Sequence, residues 1–323
     1  MAHEVENMFS VNEIPWHKLG VVLLNAPTIK EAIVAAGLNW EVGTKPLFTD
    51  EQEAVPAMAT FRKTDNKILG VVGPTYKPLQ NAEAFNFFNP FLEAKAATLE
   101  TAGSLRGGQR VWVMAKIKSE DSVIVPKSDD RVSKYILLSN SHDGTLAVRI
   151  GFTGVRVICA NTMAAAHNDQ ASKLIRIKHT GNITENLEKV GEIMNLANAE
   201  FEATAEQFRF LAQTACNQSD LEKYVRLVFA TKKQEDALLM NGTELTSGSR
   251  VLGDITNLFE KGRGNDLPGV KNTLWGAYNS INEYLQYDRG DSAELRLDNM
   301  WFGSSATLNK KALKVAVEMA KAA

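Results

Sequence analysis

Cysteine is scarce in this sequence. Cys159 and Cys216 are the two present, and both lie in apolar surroundings. Because no CxxC pair occurs, a structural zinc site built on thiolates is excluded. Free cysteines in apolar segments are typical of proteins from a reducing compartment, where they act as small packing residues.

The short motifs that mark common catalytic sites are also missing. HExxH, GxSxG, SxxK and GxxxxGK[ST] do not occur, so zinc-protease, serine-hydrolase, β-lactamase-type and Walker-type chemistry have no support. The sequence therefore favours binding over catalysis, and no cofactor is expected.

Long hydrophobic runs are absent as well. No uninterrupted apolar stretch reaches the about 18 residues of a membrane helix, and MAHEVENMFS has neither the basic region nor the apolar core of a signal peptide. With 44% hydrophobic and 23% charged residues, the 323-residue chain has an ordinary globular composition. These features predict a cytoplasmic protein without a membrane partner.

Charge is unevenly distributed along the chain. The segment 101–180 holds twelve Lys and Arg against six Asp and Glu, a net charge of +6, whereas the whole chain carries -2, so the remainder carries -8. An asymmetry of this kind predicts a region that faces a polyanion.

Local patterns in the first hundred residues predict a helix and a hairpin. Thr28 followed by Glu31 has the spacing of a capping box, and Gly37 is placed to end that helix. Apolar and β-branched residues on both sides of the Thr64–Asn66 turn predict a β-hairpin. Asn81 is the predicted N-cap of a further helix.

The rest of the chain changes from strand-like to helical periodicity. Segments 110–118, 135–144 and 146–162 alternate between two faces, which predicts antiparallel strands, and from residue 163 onward the apolar stripe repeats at about 3.6 residues. The predicted fold is α+β. An antiparallel β-rich core with a packed crossing helix, residues 1–182, precedes a mostly helical part, residues 183–323. Within the latter, Arg263–Gly269 is predicted to be flexible.

Basic residues in the β-rich core are the candidate contacts to nucleic acid. Arg106 and Arg110 flank two glycines, and Arg149 and Arg156 flank IGFTG, a predicted turn or bulge. Neighbouring aromatic rings are candidates for base stacking. The predicted nucleic-acid-binding residues are Arg106, Arg110, Trp112, Arg149, Phe152, Arg156, Arg176 and Lys178.

Structural explanations compete with each of these assignments. A Gly-Gly segment is an ordinary hairpin turn, basic residues guard solvated edge strands, and an aromatic ring beside a lysine is commonly a core residue. A metal-dependent hydrolase or nuclease using His17, His142, Asp143 and His179 is the alternative enzyme hypothesis, although no metal-ligand spacing supports it.

Ordered segments along the whole chain carry a family resemblance. They include IPWHKLG, AGLNWEV, YKPLQNAEAF, TAGSLRGGQRVWVMAKI, LLSNSHDGTLAVR, VRVICANTM, RIKHTGN, TLWGAYNSINEYLQY and WFGSSATLNKKAL. Together they resemble the phage/plasmid-like protein family, a domain of unknown function found in bacteriophages, plasmids and their hosts. The resemblance implies a mobile-element protein of the bacterial cytoplasm and supplies no catalytic residues.

The leading hypothesis combines this resemblance with the charge pattern. We expect a nucleic-acid-binding protein that anneals or protects single-stranded DNA in recombination. We also expect it to assemble into a homo-oligomer such as a ring, by analogy with phage annealing proteins. A second alternative is a protein-binding factor that counters host defence through the acidic helical half.

Overall fold

The computed structural model describes residues 5–12, 19–156, 161–162, 175–179, 193–230 and 249–323. The strands are β1 Val5–Val11, β2 Val21–Leu23, β3 Val42–Phe48, β4 Ala54–Arg62, β5 Ile68–Val72, β6 Ala97–Leu105, β7 Arg110–Ile117, β8 Ser122–Val125, β9 Asp130–Ser141, β10 Val148–Arg156, β11 Asn161–Thr162 and β12 Ile175–Ile177. The helices are α1 Ile29–Ala35, α2 Asn81–Asn86, α3 Asn89–Glu93, α4 Ile193–Gln213, α5 Gln218–Phe229, α6 Ser249–Lys261, α7 Leu274–Glu283, α8 Ala293–Phe302 and α9 Ser304–Ala322.

The local signals near the start of the chain give the expected elements. Thr28 caps α1 by accepting a hydrogen bond from the Glu31 amide, while the Glu31 carboxylate accepts one of 2.8 Å from the Thr28 amide. Gly37 follows the helix with a φ of 62°, which glycine adopts without strain. The predicted hairpin is confirmed as β4 and β5.

One capping prediction is wrong. Gln80, not Asn81, is the residue before α2. The Asn81 side chain is buried, and its Nδ2 donates to the carbonyls of Leu38 and Trp40, at 3.2 Å each. Its amide is therefore used to hold a neighbouring segment instead of the helix terminus.

The described residues divide into two compact units. The first takes its residues from Met1–Ser119, Lys134–Thr153 and Asp169–Asn198, and the second from Glu120–Ser133, Gly154–Asn168 and Ala199–Ala323. The predicted boundary between residues 182 and 183 lies outside the described residues.

The described residues of unit 1 that precede α4 form two sheets and three short helices. Its larger sheet has the strand order β10-β9-β7-β6-β1-β2, with β12 paired to β10, and the smaller sheet has the order β3-β4-β5. Pairing is antiparallel in the registers given, except that β1 and β2 are parallel. Helices α1, α2 and α3 contact the larger sheet, where Leu38, Phe85 and Phe88 join Val113 and Leu138 in one core.

Unit 2 is mostly helical. Its core is formed by α4–α9, and α7 lies in it with every residue buried. The hairpin of β8 with the start of β9 adds Ile124, Val125 and Val132 to this core. The predicted α+β class, with an antiparallel β-rich core and a helical C-terminal part, is confirmed. None of the helices in the described ranges is long and apolar enough to cross a membrane.

Candidate nucleic-acid interface

The turn between β6 and β7 carries three consecutive residues in left-handed backbone conformation. Arg106, Gly107 and Gly108 have φ values of 53°, 63° and 94°, a region that costs a residue other than glycine about 1–2 kcal/mol. The Gly107 carbonyl accepts a 2.9 Å hydrogen bond from Nη2 of Arg62, and the Lys67 ammonium lies against Gly107. Three cationic residues are thus brought to one turn.

Replacing Gly107 with alanine should disturb this turn. A Cβ at residue 107 would displace the flexible Lys67 ammonium, and the positive φ would be strained, so we expect a loss of about 1–2 kcal/mol of stability from the backbone strain. Gly73→Ala is the matched control, because a Cβ at residue 73 meets nothing within 4 Å. Urea denaturation of both variants tests the difference, and equal stabilities would contradict it.

Arg149 and Arg176 form a cross-strand pair on β10 and β12. Arg149 lies directly opposite Arg176, and Val148 lies directly opposite Ile177. Residues directly opposite share a face of the sheet, and Val148 and Ile177 are buried in the core. The two arginines therefore lie on the other face, where Arg176 is exposed and Arg149 is half-buried.

Lys178 is held at the surface by the residues on either side of it. Ile177 is buried on one side. On the other side, the His179 carbonyl accepts a hydrogen bond of 2.7 Å from the Lys77 amide, and Nδ1 of His179 donates one of 3.0 Å to the Lys77 carbonyl. The His179 ring also stacks on Tyr76, with centroids 4.5 Å apart. Burial lowers the pKa of His179, so the imidazole that makes these contacts is neutral at neutral pH. Lys178 itself is exposed.

The strand registers place these cations at one end of the larger sheet. Arg110 at the start of β7 is opposite Ser141 at the end of β9, and Val148 at the start of β10 is opposite Ile177 at the end of β12. Strands β9 and β10 are neighbours joined by residues 142–147. At about 4.8 Å per strand, β7 and β12 are separated by roughly 14 Å. Several phosphates of an extended strand could contact this end of the sheet.

The two predicted contacts on β7 are too deeply buried to bind nucleic acid. Trp112 is 1% exposed and Arg110 is 8% exposed. Alternation along β7 puts both on the same face, and that face is buried. A ring with so little surface has no free side on which a base could stack, so Trp112 is removed from the candidate interface, and Arg110 offers little to a phosphate from solution.

The predicted turn at IGFTG is wrong. Residues 148–156 form the continuous strand β10, so the two glycines of this segment do not interrupt the strand. Phe152 packs against the core of unit 1, on the side of the sheet opposite Arg149. Its ring therefore contributes to packing and not to a stacking surface.

Arg156, the remaining predicted contact, is part of a buried ion pair in unit 2. Its Nη2 lies 2.7 Å from Oδ2 of Asp130, and both side chains are 0% exposed. The guanidinium also donates to the carbonyls of Gly264 at 3.0 Å and Arg263 at 3.2 Å. Asp130 Oδ2 accepts a further hydrogen bond of 2.8 Å from Nε1 of Trp275. Arg156 is therefore a structural residue, and its assignment as a phosphate contact is wrong.

The same network corrects the prediction of a flexible Arg263–Gly269 segment. Asn265 is fully buried, and its Nδ2 donates to the carbonyls of Leu258 and Gly276 and to Oγ of Ser280. Glycine, asparagine and proline here shape a tight connection whose polar groups are satisfied from within unit 2. Composition indicated a loop correctly but did not reveal these partners.

His142 is a buried packing residue. Its Nε2 donates to Oδ1 of Asn81 at 3.0 Å, its carbonyl accepts a 2.6 Å bond from Thr60, and its ring meets Trp40 edge-on. Burial lowers the pKa of His142 to about 3, helped by His179 and Arg62 and opposed by Asp143. The imidazole is therefore neutral at physiological pH.

The alternative metal site gains no support from this geometry. Asp143 uses Oδ1 to accept hydrogen bonds from the amide and hydroxyl of Thr145, in a surface turn. Within the described residues, no group of three His, Cys, Asp or Glu side chains is arranged to hold a metal ion. His17 lies outside the described residues.

The cysteines give no nucleophile in the described ranges. Cys216 is buried, and burial, with a smaller contribution from Asp220, raises the pKa of its thiol to about 12. The thiol is therefore protonated and unreactive at neutral pH. Cys159 lies outside the described residues.

The C-terminal motif TLWGAYNSINEYLQY forms the interior of unit 2. Trp275 of α7 bonds to Asp130, Tyr278 donates to Asn309 at 2.9 Å, and Glu283 accepts from Nη1 of Arg263 at 2.9 Å. Burial is the main cause of a raised Glu283 pKa. The polar side chains of this motif are thus engaged in internal packing, which explains why so polar a segment is buried.

Sequence reasoning missed Lys67 as a member of the interface. Lys67 lies in the turn between β4 and β5, and nothing in the local sequence indicates that its ammonium lies against Gly107. The two residues are far apart in the chain, and the turns that hold them belong to different sheets. Arg106, Arg149, Arg176 and Lys178 remain as predicted contacts, and Lys67 joins them.

Residues 68–313, more than half of the 323-residue chain, match the family model described as Domain of unknown function (DUF932). The chain belongs to this family. The match covers most of unit 1 and unit 2 of this DUF932 protein. No curated protein and no solved structure matches the chain.

Proposed function

We propose that this DUF932 protein binds nucleic acid, and that it is a phage or plasmid protein that anneals or protects single-stranded DNA in the bacterial cytoplasm. The observation that carries the proposal is the Arg149–Arg176 cross-strand pair, with exposed Lys178 after it and Arg106 at the same end of the sheet. Cations on adjacent strands match the repeating charge of a phosphate backbone.

A charge-matched set of variants tests this proposal. Arg106, Arg176 and Lys178 are replaced together by alanine, and the control replaces Lys30, Lys314 and Lys321, which are also exposed. Single-strand binding releases about 0.7 counterion per neutralised phosphate, so the slope of log affinity against log salt should fall by about 2 in the first variant. The control should keep the wild-type slope.

Fluorescence anisotropy of labelled single-stranded DNA over a salt series gives both slopes. Negligible binding by the wild-type protein at low salt would refute the proposal. Equal slopes for the two triple variants would show that the DNA-binding surface lies elsewhere than at this end of the sheet.

Annealing further requires several copies on one strand. We propose a homo-oligomer, such as a ring, in which the basic ends of neighbouring subunits join into a longer track. Native mass spectrometry with and without single-stranded DNA tests this. A protein that remains monomeric while bound would exclude ring formation and leave DNA binding itself standing.

A further inference from the structure

We infer that Arg62 is a positioning residue for Arg106, and that the three-stranded sheet β3-β4-β5 thereby braces the turn between β6 and β7. The inference rests on the proposed function, in which Arg106 contacts a phosphate. It adds a buried residue that sets the strength of this contact without touching the nucleic acid.

Arg62 is too deeply buried to contact a ligand itself. The residue is 8% exposed, and Cζ of its guanidinium lies 4.6 Å from the centroid of the Trp40 ring. Trp40 is fixed in turn, because its Nε1 donates a hydrogen bond of 2.9 Å to the Gly37 carbonyl. A planar guanidinium that stacks on an aromatic ring is already oriented before it forms a hydrogen bond. Arg62 therefore presents its donors in a fixed direction.

The guanidinium of Arg62 holds the middle of the turn. Its Nη2 donates a hydrogen bond of 2.9 Å to the Gly107 carbonyl. The end of the turn is held by two further bonds, each of 2.7 Å: Nε2 of Gln109 donates to the Leu69 carbonyl, and the His142 amide donates to the Gln109 carbonyl. Strands β4 and β5 thus supply two of these three contacts, which is the structural basis for calling the small sheet a brace.

Arg106 has a backbone conformation that glycine would adopt with less strain. Its φ of 53° lies in the left-handed region, where a Cβ is unfavourable, and the next two residues, which share that region, are glycines. Strain of this kind persists only where surrounding contacts determine the backbone, and it is concentrated at functional positions. The side chain that the strained position carries is an exposed arginine. The contacts of Arg62 therefore maintain the backbone that orients this arginine.

The charges around the turn suit a phosphate group. Arg106 is exposed, and the Lys67 ammonium lies against Gly107. With Arg62 they give three cations against the carboxylate of Asp65, whose Oδ2 lies 3.7 Å from Nη1 of Arg62. The sum of these charges is positive, so an anion is attracted to the turn.

A double-mutant cycle on the full-length protein tests the inference. Arg62→Met, Arg106→Ala and the double variant are compared in binding labelled oligothymidylate over a salt series. Loss of one phosphate contact lowers the salt slope by about 0.7, which is about fivefold in affinity at 0.1 M salt. Each single variant should show this loss, and the double variant should show the same loss once, because residues that act as a unit are not additive. Arg131→Met, an exposed arginine in unit 2, is the control and should bind as the wild-type protein does.

Two results of this cycle would overturn the inference. A double variant weakened by the product of the two single losses, about 25-fold, would mean that Arg62 acts independently of Arg106. An Arg62→Met variant that is less stable but binds with the wild-type affinity and salt slope would mean that Arg62 serves only the stability of unit 1.

Arg62→Lys separates geometry from charge, and it replaces Arg62→Met if that variant does not fold. Lysine keeps the positive charge and the apolar stem over Trp40, but its side chain ends one atom short of Nη2. The hydrogen bond to the Gly107 carbonyl should therefore be lost, and the salt slope should fall as it does in Arg106→Ala. A wild-type slope in Arg62→Lys would show that the bond to Gly107 is not needed and would contradict the inference.

Glycine variants test the strained arginine with a matched control. Lys95 is also exposed and has a φ of 54°, so Arg106→Gly and Lys95→Gly remove the same charge from the same backbone conformation. Neither should lower the urea midpoint, because glycine relieves the strain, and only Arg106→Gly should weaken oligothymidylate binding, by about fivefold at 0.1 M salt. Equal affinities of the two variants would remove the contact that Arg62 is inferred to position.

Hydrogen exchange separates the inference from the proposed function. The Gln109 amide donates to the Arg106 carbonyl within the turn at 3.4 Å, and its exchange should be faster in Arg62→Met than in Arg131→Met, with or without DNA. Unchanged exchange and unchanged affinity in Arg62→Met, together with normal wild-type binding, would overturn the inference and leave the proposed function standing. Absence of oligothymidylate binding by the wild-type protein at low salt would overturn both.

Discussion

Replacing Arg156 with methionine should destabilise unit 2 by about 3–5 kcal/mol. The substitution leaves the Asp130 carboxylate buried without its cation and removes the donors to the carbonyls of Arg263 and Gly264. Methionine fills part of the volume, so the loss arises mainly from the uncompensated charge and from the unsatisfied carbonyls. Guanidinium denaturation followed by tryptophan emission, to which buried Trp275 contributes, measures the effect.

Arg131→Met is the matched control for this prediction. Arg131 pairs with Asp129 at 2.6 Å, but the two side chains are 43% and 72% exposed, and exposed pairs contribute about 0–1 kcal/mol. The double variant Asp130→Asn/Arg156→Met should recover part of the loss, because no ion is then left buried. Equal stabilities of Arg156→Met and Arg131→Met would contradict a structural role for the buried pair.

Acidification should destabilise unit 1 through His142. In the unfolded chain an imidazole binds its proton near pH 6.5, whereas in the folded protein the pKa of His142 is about 3. The unfolded state therefore binds more protons between these values, and stability is lost as the pH falls through 6.5 towards 3. Linkage gives a loss of about 3 kcal/mol between pH 7.5 and pH 4 from this residue alone.

The His142→Asn variant isolates that contribution. Asparagine does not titrate, so the difference in unfolding free energy between the wild-type protein and the variant should shrink by about 3 kcal/mol from pH 7.5 to pH 4. Carboxylates titrate equally in both proteins and cancel in the difference. Parallel stability curves over this range would show that His142 takes up its proton without unfolding.

The parts of the fold that follow local rules were predictable from sequence. The capping box at Thr28 and Glu31 and the β4–β5 hairpin depend on residues close in the chain, and both are found. Of the proposed interface, Arg106, Arg176 and Lys178 are exposed as the sequence suggested. Alternation with apolar neighbours identified Arg176 and Lys178, whereas Arg106 was identified by the two glycines that follow it.

The remaining assignments depended on partners that lie far away in sequence. Arg156 is buried because Asp130, 26 residues earlier, neutralises it, and its residue type gave no sign of this. Trp112 lies on a strand whose two faces are both buried, so alternation could not identify a solvent side.

The buried ion pair also has a consequence for the order in which the chain folds. Trp275 follows Asp130 by 145 residues, and Gly264 follows Arg156 by 108. At synthesis rates of about 5–20 residues per second, both residues of the pair are synthesised roughly 5–25 s before Gly264 and Trp275. During that interval Ile124, Val125 and Val132 lack the helices that complete their core. The nascent β8–β9 hairpin is therefore an expected site for chaperone binding on the ribosome.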